Sequence, residues 1–502
     1  MVQTFFLEVG TTELPASYIR PALKQLQDQV QQTLQQQRID FAQASTAGTP
    51  RRLVLIVEDV ATQGHALTEE LEGPPVRVAF SEDGTPKVPA LKFAEKVGLA
   101  VEQLGRKQTA KGEKLCATVT HEGQATHQVL AEALPSILGR LHFPKSMRWG
   151  TQSQSFGRQI RWFCALLGEQ VVPFSYAGVH SVNQSYGHRF VAPEPFAVES
   201  AQQYREALKQ RCVLLDAEQR MRQIQEQSEK LAQEVNGQLV KDTELVEINA
   251  FLVESPHPLR GTFESKYLAL PKEVLQTTMR THLKCFSVVD DAGAMLPFFV
   301  PVAALPSKDP QVVVHGFERV LRARLADAHF FYDEDGKSTL EKRVPALDAV
   351  TFQKSLGSYG DKRRRLELLV VKLAPLLGLD AFCEEAQRAA MLCKSDLLTK
   401  MVYEFPELQG TMGRYYAERE QETKAISEAL EQHYWPVGAE DQRIPQGSVA
   451  QLVAIADRLD TLVGGFAVGI KPTGSADPYG LRRQALTLLR ILCEAELPGS
   501  LG

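Results

Sequence analysis

The sequence predicts a multidomain α+β protein, mixed α/β in its N-terminal part and all-helical in its C-terminal part. Three observations carry this. Short apolar runs bounded by turn residues crowd the first quarter of the chain, apolar residues recur at helical spacing from about Arg343 onward, and 502 residues at roughly 150 per domain leave room for about three domains. A composition of 44% apolar and 23% charged residues is that of a globular protein and excludes intrinsic disorder and fibrous repeats. With 56 Lys+Arg against 61 Asp+Glu the net charge is −5, so any basic surface must be local.

Thr4–Gly10 reads as a strand, and Leu14 to Gln37 as a helix with Ile19, Leu23, Leu26 and Val30 on one face. Strands are expected at 40–46 and Leu53–Val57, separated by the turn signal Ala47-Gly48-Thr49-Pro50, which makes a β-α-β-β unit. Gly73-Pro74-Pro75 is a break. A helix near 88–98 follows, then a strand pair, Glu102–Thr109 and Glu113–Thr120, turning at Lys111-Gly112. One or two polar helices run from Ala201 to about Val235, burying Leu208, Val213, Leu215, Met221, Ile224 and Leu231, and end at Asn236-Gly237. Helical periodicity then dominates at 363–378, 384–403, 421–434, 448–466 and 479–495. The expected domains are 1–125, 126–340 and 341–502.

No apolar stretch reaches the roughly 18 uncharged residues of a membrane span. The N-terminus has neither a cationic n-region nor a small-residue cleavage site, and the seven cysteines form no C-x-x-C pair, so a reduced, cytoplasmic protein is expected. The chain has no P-loop, no G-x-G-x-x-G after a strand, no G-x-S-x-G elbow and no H-E-x-x-H, which favours a binding subunit over a self-sufficient enzyme.

Local charge is the sharpest feature. Between Ala133 and Pro193 the single acid Glu169 faces Arg140, Lys145, Arg148, Arg158, Arg161 and Arg189, with aromatics interleaved, among them Trp149, Trp162, Tyr186 and Phe190. Guanidinium groups beside stacking faces suit RNA ends and splayed bases; aromatics in a core and arginines paired with distant acids would give the same pattern. His188, between Gly187 and Arg189, suits general acid/base work or phosphate contact. Arg319, Arg322 and Arg324, and the run Lys362–Arg365, lie beside acids and read as solvated helical faces. In the helical part Asp396, Asp457 and Asp460 stand where an HD-type phosphohydrolase carries metal-binding acids, but without the histidines, so a metal-free remnant of that fold is expected and metal-dependent hydrolysis is the alternative.

These segments join up. Leu7–Pro15 (LEVGTTELP), Thr49–Leu53 (TPRRL), Phe143–Gly150 (FPKSMRWG), Tyr186–Phe190 (YGHRF), Arg322–Ala328 (RARLADA), Lys394–Gly413 and Asp477–Arg483 (DPYGLRR) occur in order along a chain that resembles the β subunit of bacterial heterotetrameric glycyl-tRNA synthetase. The resemblance implies an α2β2 ligase whose α subunit holds the class II catalytic core and uses ATP and Mg2+, while β grips tRNA(Gly), binds no cofactor and has no catalytic residue. It also implies that the helical part is a degenerate HD-like domain. On this reading Lys145, Arg148, Arg158, Arg161, His188 and Arg189 contact tRNA, as do Arg51 and Arg52, for which pairing with acids at a sheet edge is an equal alternative. A scaffold for the α dimer that touches RNA little is a further reading. Where the family reads M-R-x-H-Q-[RK]-Y-F, this chain has Met279–Phe286 as MRTHLKCF. Family members continue into a C-terminal anticodon-binding domain, so anticodon reading is not expected of a chain ending at Gly502.

Overall fold

The computed structural model describes all residues except 82–83, 110–111, 439–440, 474–476, 478, 496 and 498–502. Lys111 of the predicted turn and Pro478 of the DPYGLRR segment lie outside the described residues. The chain forms two compact units, neither continuous in sequence: Met1–Gln227 with Asp242–His257 and Val302–Pro306, and Ser228–Lys241 with Pro258–Pro301 and Ser307–Gly502. Among the described residues, no helix is long and apolar enough to cross a membrane.

The first unit is organised by a sheet ordered Ala44–Thr49, Arg52–Ala61, Val2–Thr11, Ile160–Leu167, Val179–Val182, Ser175–Tyr176, with Gln170–Val171 also pairing to Ile160–Leu167. All neighbours are antiparallel except Val179–Val182 against Ile160–Leu167. The predicted β-α-β-β unit is present. Its reversal sits at Pro50-Arg51, however, because Ala47–Thr49 extend the strand and pair with Arg52–Val54. The strand side chains alternate between two cores. Phe5, Leu7 and Val9 meet the helices Ala16–Gln36 and Thr126–Arg140, whereas Phe6, Val54, Ile56, Cys164 and Leu166 meet Tyr204 and Leu208 of the helix Ala201–Gln210. A three-stranded sheet, Leu67–Pro75, Gly112–His121 and Gly105–Thr109, packs on the helix Val88–Val97. The last strand starts later than predicted, because Val101–Gln103 forms a 3-10 turn.

The predicted long polar helix is two, Ala201–Gln210 and Ala217–Gln233. Met221 and Leu231 are only half-buried, while Arg220 is fully buried and donates to the carbonyls of Gly48, Leu214, Leu215 and Ala250.

The second unit carries a four-stranded antiparallel sheet, ordered Gln238–Leu239, Phe286–Val289, Met295–Val300, Gly261–Thr262, and is otherwise mainly helical. Its longest helix, Pro310–Asp335, ends on the buried Asp335 carboxylate, which accepts from the backbone N–H groups of Lys400 and Met401 and from the Tyr416 hydroxyl. The helix predicted over 384–403 breaks at Cys393, where Lys394 adopts φ +72°. The helix Thr411–Arg419 was not predicted; the others run Tyr359–Leu376, Lys424–Gln432, Ser448–Ala467 and Leu481–Glu494.

Candidate nucleic-acid interface

At one end of the first unit's sheet, register places Gly10 opposite both Arg52 and Trp162, with Glu8 two residues away on the same face. Gly10 is required there: a Cβ on it would lie 2.0 Å from the Trp162 ring. The indole occupies that space and brings the Arg51 and Arg52 guanidinium carbons to 5.7 and 5.6 Å from its ring centre.

Arg52 is fully buried. It pairs with Glu8 and with Glu254 at 3.0 Å each and donates to the Tyr186 carbonyl at 2.8 Å. Burial opposes its charge, but Glu254, Tyr204 and Glu8 more than offset this and hold its pKa above the ordinary arginine value. Burial raises Glu8. The network ties three distant segments together, because Glu254 also accepts from the Thr49 hydroxyl at 2.6 Å. For Arg52, RNA contact and pairing with acids were expected equally; it is buried and paired with Glu8 and Glu254, a support for the surface above it and not an RNA contact.

That surface is a cavity of about 230 Å3 lined by Arg51, Arg161, Trp162, Tyr186, Gly187, Arg189 and Pro193. Arg51 is half-buried, and one terminal nitrogen, Nη1, is buried without a hydrogen-bond partner. Burial lowers its pKa, though a guanidinium stays charged at neutral pH. Arg161 and Arg189 are exposed, and Arg189 also pairs with Glu13. Three cations and an aromatic floor thus share one cavity, a chemistry that suits an anion carried next to a planar ring.

The remaining expected residues divide. His188 is buried and made less basic first of all by that burial; its carbonyl accepts from the Val191 and Ala192 N–H groups, so it shapes the Tyr186–Ala192 turn from below. Lys145 and Arg158 meet at Tyr18 rather than in the cavity: the Lys145 N–H donates to the Tyr18 hydroxyl at 3.1 Å, and the Arg158 guanidinium lies 5.9 Å from the Tyr18 ring. Arg148 is exposed on the segment that bridges through Met147 to Phe156. Glu8, Glu13 and Glu254 were missed. Glu8 had left a signal, since an acid inside the apolar run Phe5–Val9 needs a buried cation; Glu254, some 200 positions from Arg52, had left none.

The acids of the helical unit are differently engaged. Asp457 pairs with Lys362 at 2.8 Å and Lys394 at 2.9 Å, Asp460 pairs with Lys362 at 3.0 Å and with Arg365, and Asp396 accepts from the Gly410 N–H at 2.6 Å. Lys362 is therefore a buried counter-ion, not part of a solvated face. Ammonium groups thus occupy Asp457 and Asp460, and a backbone N–H occupies Asp396, the three carboxylates that metal-dependent hydrolysis would need.

The family model described as glycyl-tRNA synthetase beta subunit matches residues 5–502. Proteins named glycine–tRNA ligase beta subunit are 44% identical in Desulfatibacillum aliphaticivorans, over 98% of this chain and 71% of that protein, and 44% identical in Moorella thermoacetica, over 100% and 72%. The counterpart in Myxococcus xanthus is 43% identical over 98% of this chain and 70% of its own length. Family model and relatives agree along the whole chain, through both units, and the chain belongs to the glycyl-tRNA synthetase β-subunit family.

Proposed function

We propose that, as a β subunit of glycine–tRNA ligase, this chain grips tRNA(Gly) through the Arg51–Arg161–Arg189 cavity, which takes a backbone phosphate while Trp162 and Tyr186 offer stacking faces to a neighbouring base. The single observation that carries this reading is the convergence of three distant stretches, Arg51, Arg161-Trp162 and Tyr186–Pro193, on one cavity that gathers three arginines around aromatic rings. Lys145, Arg148 and Arg158 extend the basic surface as weaker phosphate contacts. Its partner is an α subunit, in an α2β2 assembly, where ATP and Mg2+ serve glycine activation and transfer to the tRNA 3′ end. This chain holds no cofactor for that chemistry and works in the cytoplasm.

The test is a titration of tRNA(Gly) against this chain, alone and with α, across salt. Arg51→Ala with Arg161→Ala is expected to weaken binding about tenfold per guanidinium, as for hydrogen bonds to charged groups, and to flatten the salt dependence. Unchanged affinity and slope would leave a scaffold role for the α dimer.

A further inference from the structure

Beside the Arg51 cavity, at the tip of the turn Tyr186–Ala192, Phe190 is 71% exposed and Val191 49% exposed. The tip is held in place from below. The His188 N–H donates to the Arg211 carbonyl at 3.0 Å, the His188 carbonyl accepts from the Val191 and Ala192 N–H groups, and a Cβ on Gly187 would lie 2.6 Å from the Arg211 Cβ. Phe190 is thus presented to solvent by a braced turn, with the Arg189 guanidinium carbon 4.6 Å from its ring centre. Arg189 joins this tip to the cavity, which it also lines. An exposed aromatic next to a cationic cavity suits the end of an RNA helix, where the last bases leave a flat face open to stacking.

Shape and charge narrow the phosphate that the cavity would take. Its floor is closed, because Trp162 is 5% exposed and Arg52 lies sealed with Glu8 and Glu254; its exposed lining is Arg161, Arg189 and Pro193. A strand running through would need a groove with cations spaced along the backbone, whereas here three guanidinium groups share about 230 Å3. Among the described residues Arg51 and Arg161 have no ion-pair partner, and Arg189 is held by Glu13. Glu254 also acts on Arg51 from beneath, but it is already paired with Arg52. Three cations against one acid at the rim leave two positive charges. An internal phosphodiester brings one negative charge; a terminal phosphomonoester brings about 1.5 to 2 at pH 7. Because the 3′ end must keep a free hydroxyl to accept glycine, the terminal phosphate is the one at the 5′ end.

We infer that the Arg51–Arg161–Arg189 cavity takes the 5′-terminal phosphate of the tRNA while Phe190 stacks on the end of the acceptor helix, so that this subunit reads an RNA end and not the interior of a strand. The inference rests on the tRNA reading of the cavity and adds which phosphate is bound.

The test is titration of the full chain, in complex with α, against three forms of tRNA(Gly): with its 5′-phosphate, with a 5′-hydroxyl, and with a short 5′ extension that makes the same phosphate internal. Removing the phosphate should weaken binding about tenfold, the worth of hydrogen bonds to a charged group, and the extended form should bind no better than the hydroxyl form. In the double variant Arg51→Ala with Arg161→Ala the three forms should bind alike, within about twofold. Phe190→Ala should weaken binding of the phosphate form about fivefold with an unchanged melting temperature, since the ring is exposed. Equal affinity for the phosphate and hydroxyl forms, or binding of the extended form as tight as that of the phosphate form, would overturn the inference; a double variant that still weakens every form would then leave the tRNA reading of the cavity standing. A preference for the phosphate form that survives in the double variant would also overturn it, giving the 5′ end to another surface. Unchanged affinity in Phe190→Ala would overturn the stacking contact.

Discussion

Each unit buries an ion network of a different kind. In the sheet unit one arginine, Arg52, answers two acids, Glu8 and Glu254, and uses its remaining donor geometry to hold the Tyr186 carbonyl. In the helical unit Lys362, Lys394 and Arg365 surround Asp457 and Asp460. The planar guanidinium is a fork that spans three strands' worth of backbone, whereas an ammonium is a point charge that neutralises what it touches. The first network therefore builds a surface above itself, and the second closes the one its carboxylates would have made.

The largest expected effect tests the fork. Arg52→Met should cost about 3–5 kcal/mol, because it strands two buried acids; denaturant unfolding followed by tryptophan fluorescence reads it, and a loss below about 1 kcal/mol would mean that water already shares the network. Gly10→Ala drives a methyl into Trp162 and should cost about 1–3 kcal/mol, with tRNA affinity falling alongside. If stability alone changes, Trp162 is a packing residue and not the cavity floor.

Lys394→Met probes the point charge and should cost less than Arg52→Met, since Lys362 stays on Asp457. Burial disfavours the Asp457 carboxylate, but Lys362 and Lys394 outweigh it and hold its pKa well below the ordinary value. Its contribution is present above the unfolded aspartate pKa of about 3.9 and is lost as pH falls through the folded value. Acid unfolding should accordingly begin at higher pH in Lys394→Met than in the parent, and an unshifted acid limb would separate the acid from the lysine.

His433 sets a further slope. Its folded pKa lies below the unfolded value of about 6.5, so the unfolded chain binds the extra proton as pH falls through that value, and stability drops by at most about 1.4 kcal/mol per pH unit. His433→Gln should flatten that limb, measured by urea midpoints between about pH 7.5 and about pH 5.5, roughly one unit either side of the free imidazole. The smallest effect is Arg148→Ala. Outside the cavity and exposed, it should weaken tRNA binding by less than about fivefold, the worth of a screened surface contact.

The chain's own pattern determined a great deal. Apolar runs at Phe5–Val9 and Leu53–Val57 and helical spacing in 363–378 and 448–466 set the elements, because burial of such apolar runs and faces is written in the local pattern of the chain. The basic, aromatic-rich stretch and the ordered family segments likewise pointed to tRNA and to the family before any packing was seen. Tertiary structure decided which charges face outward. Arg51 and Arg52 are neighbours of the same type, yet one lines a cavity and the other is sealed beneath it, because Arg51 stands in the turn while Arg52 begins the strand and is closed over by Glu8 and Glu254. Lys362 and Arg364 part in the same way, one against Asp457 and the other toward solvent. Such choices depend on partners some 100 to 200 positions away in the chain, and a side chain's burial is settled by those partners rather than by its neighbours in sequence.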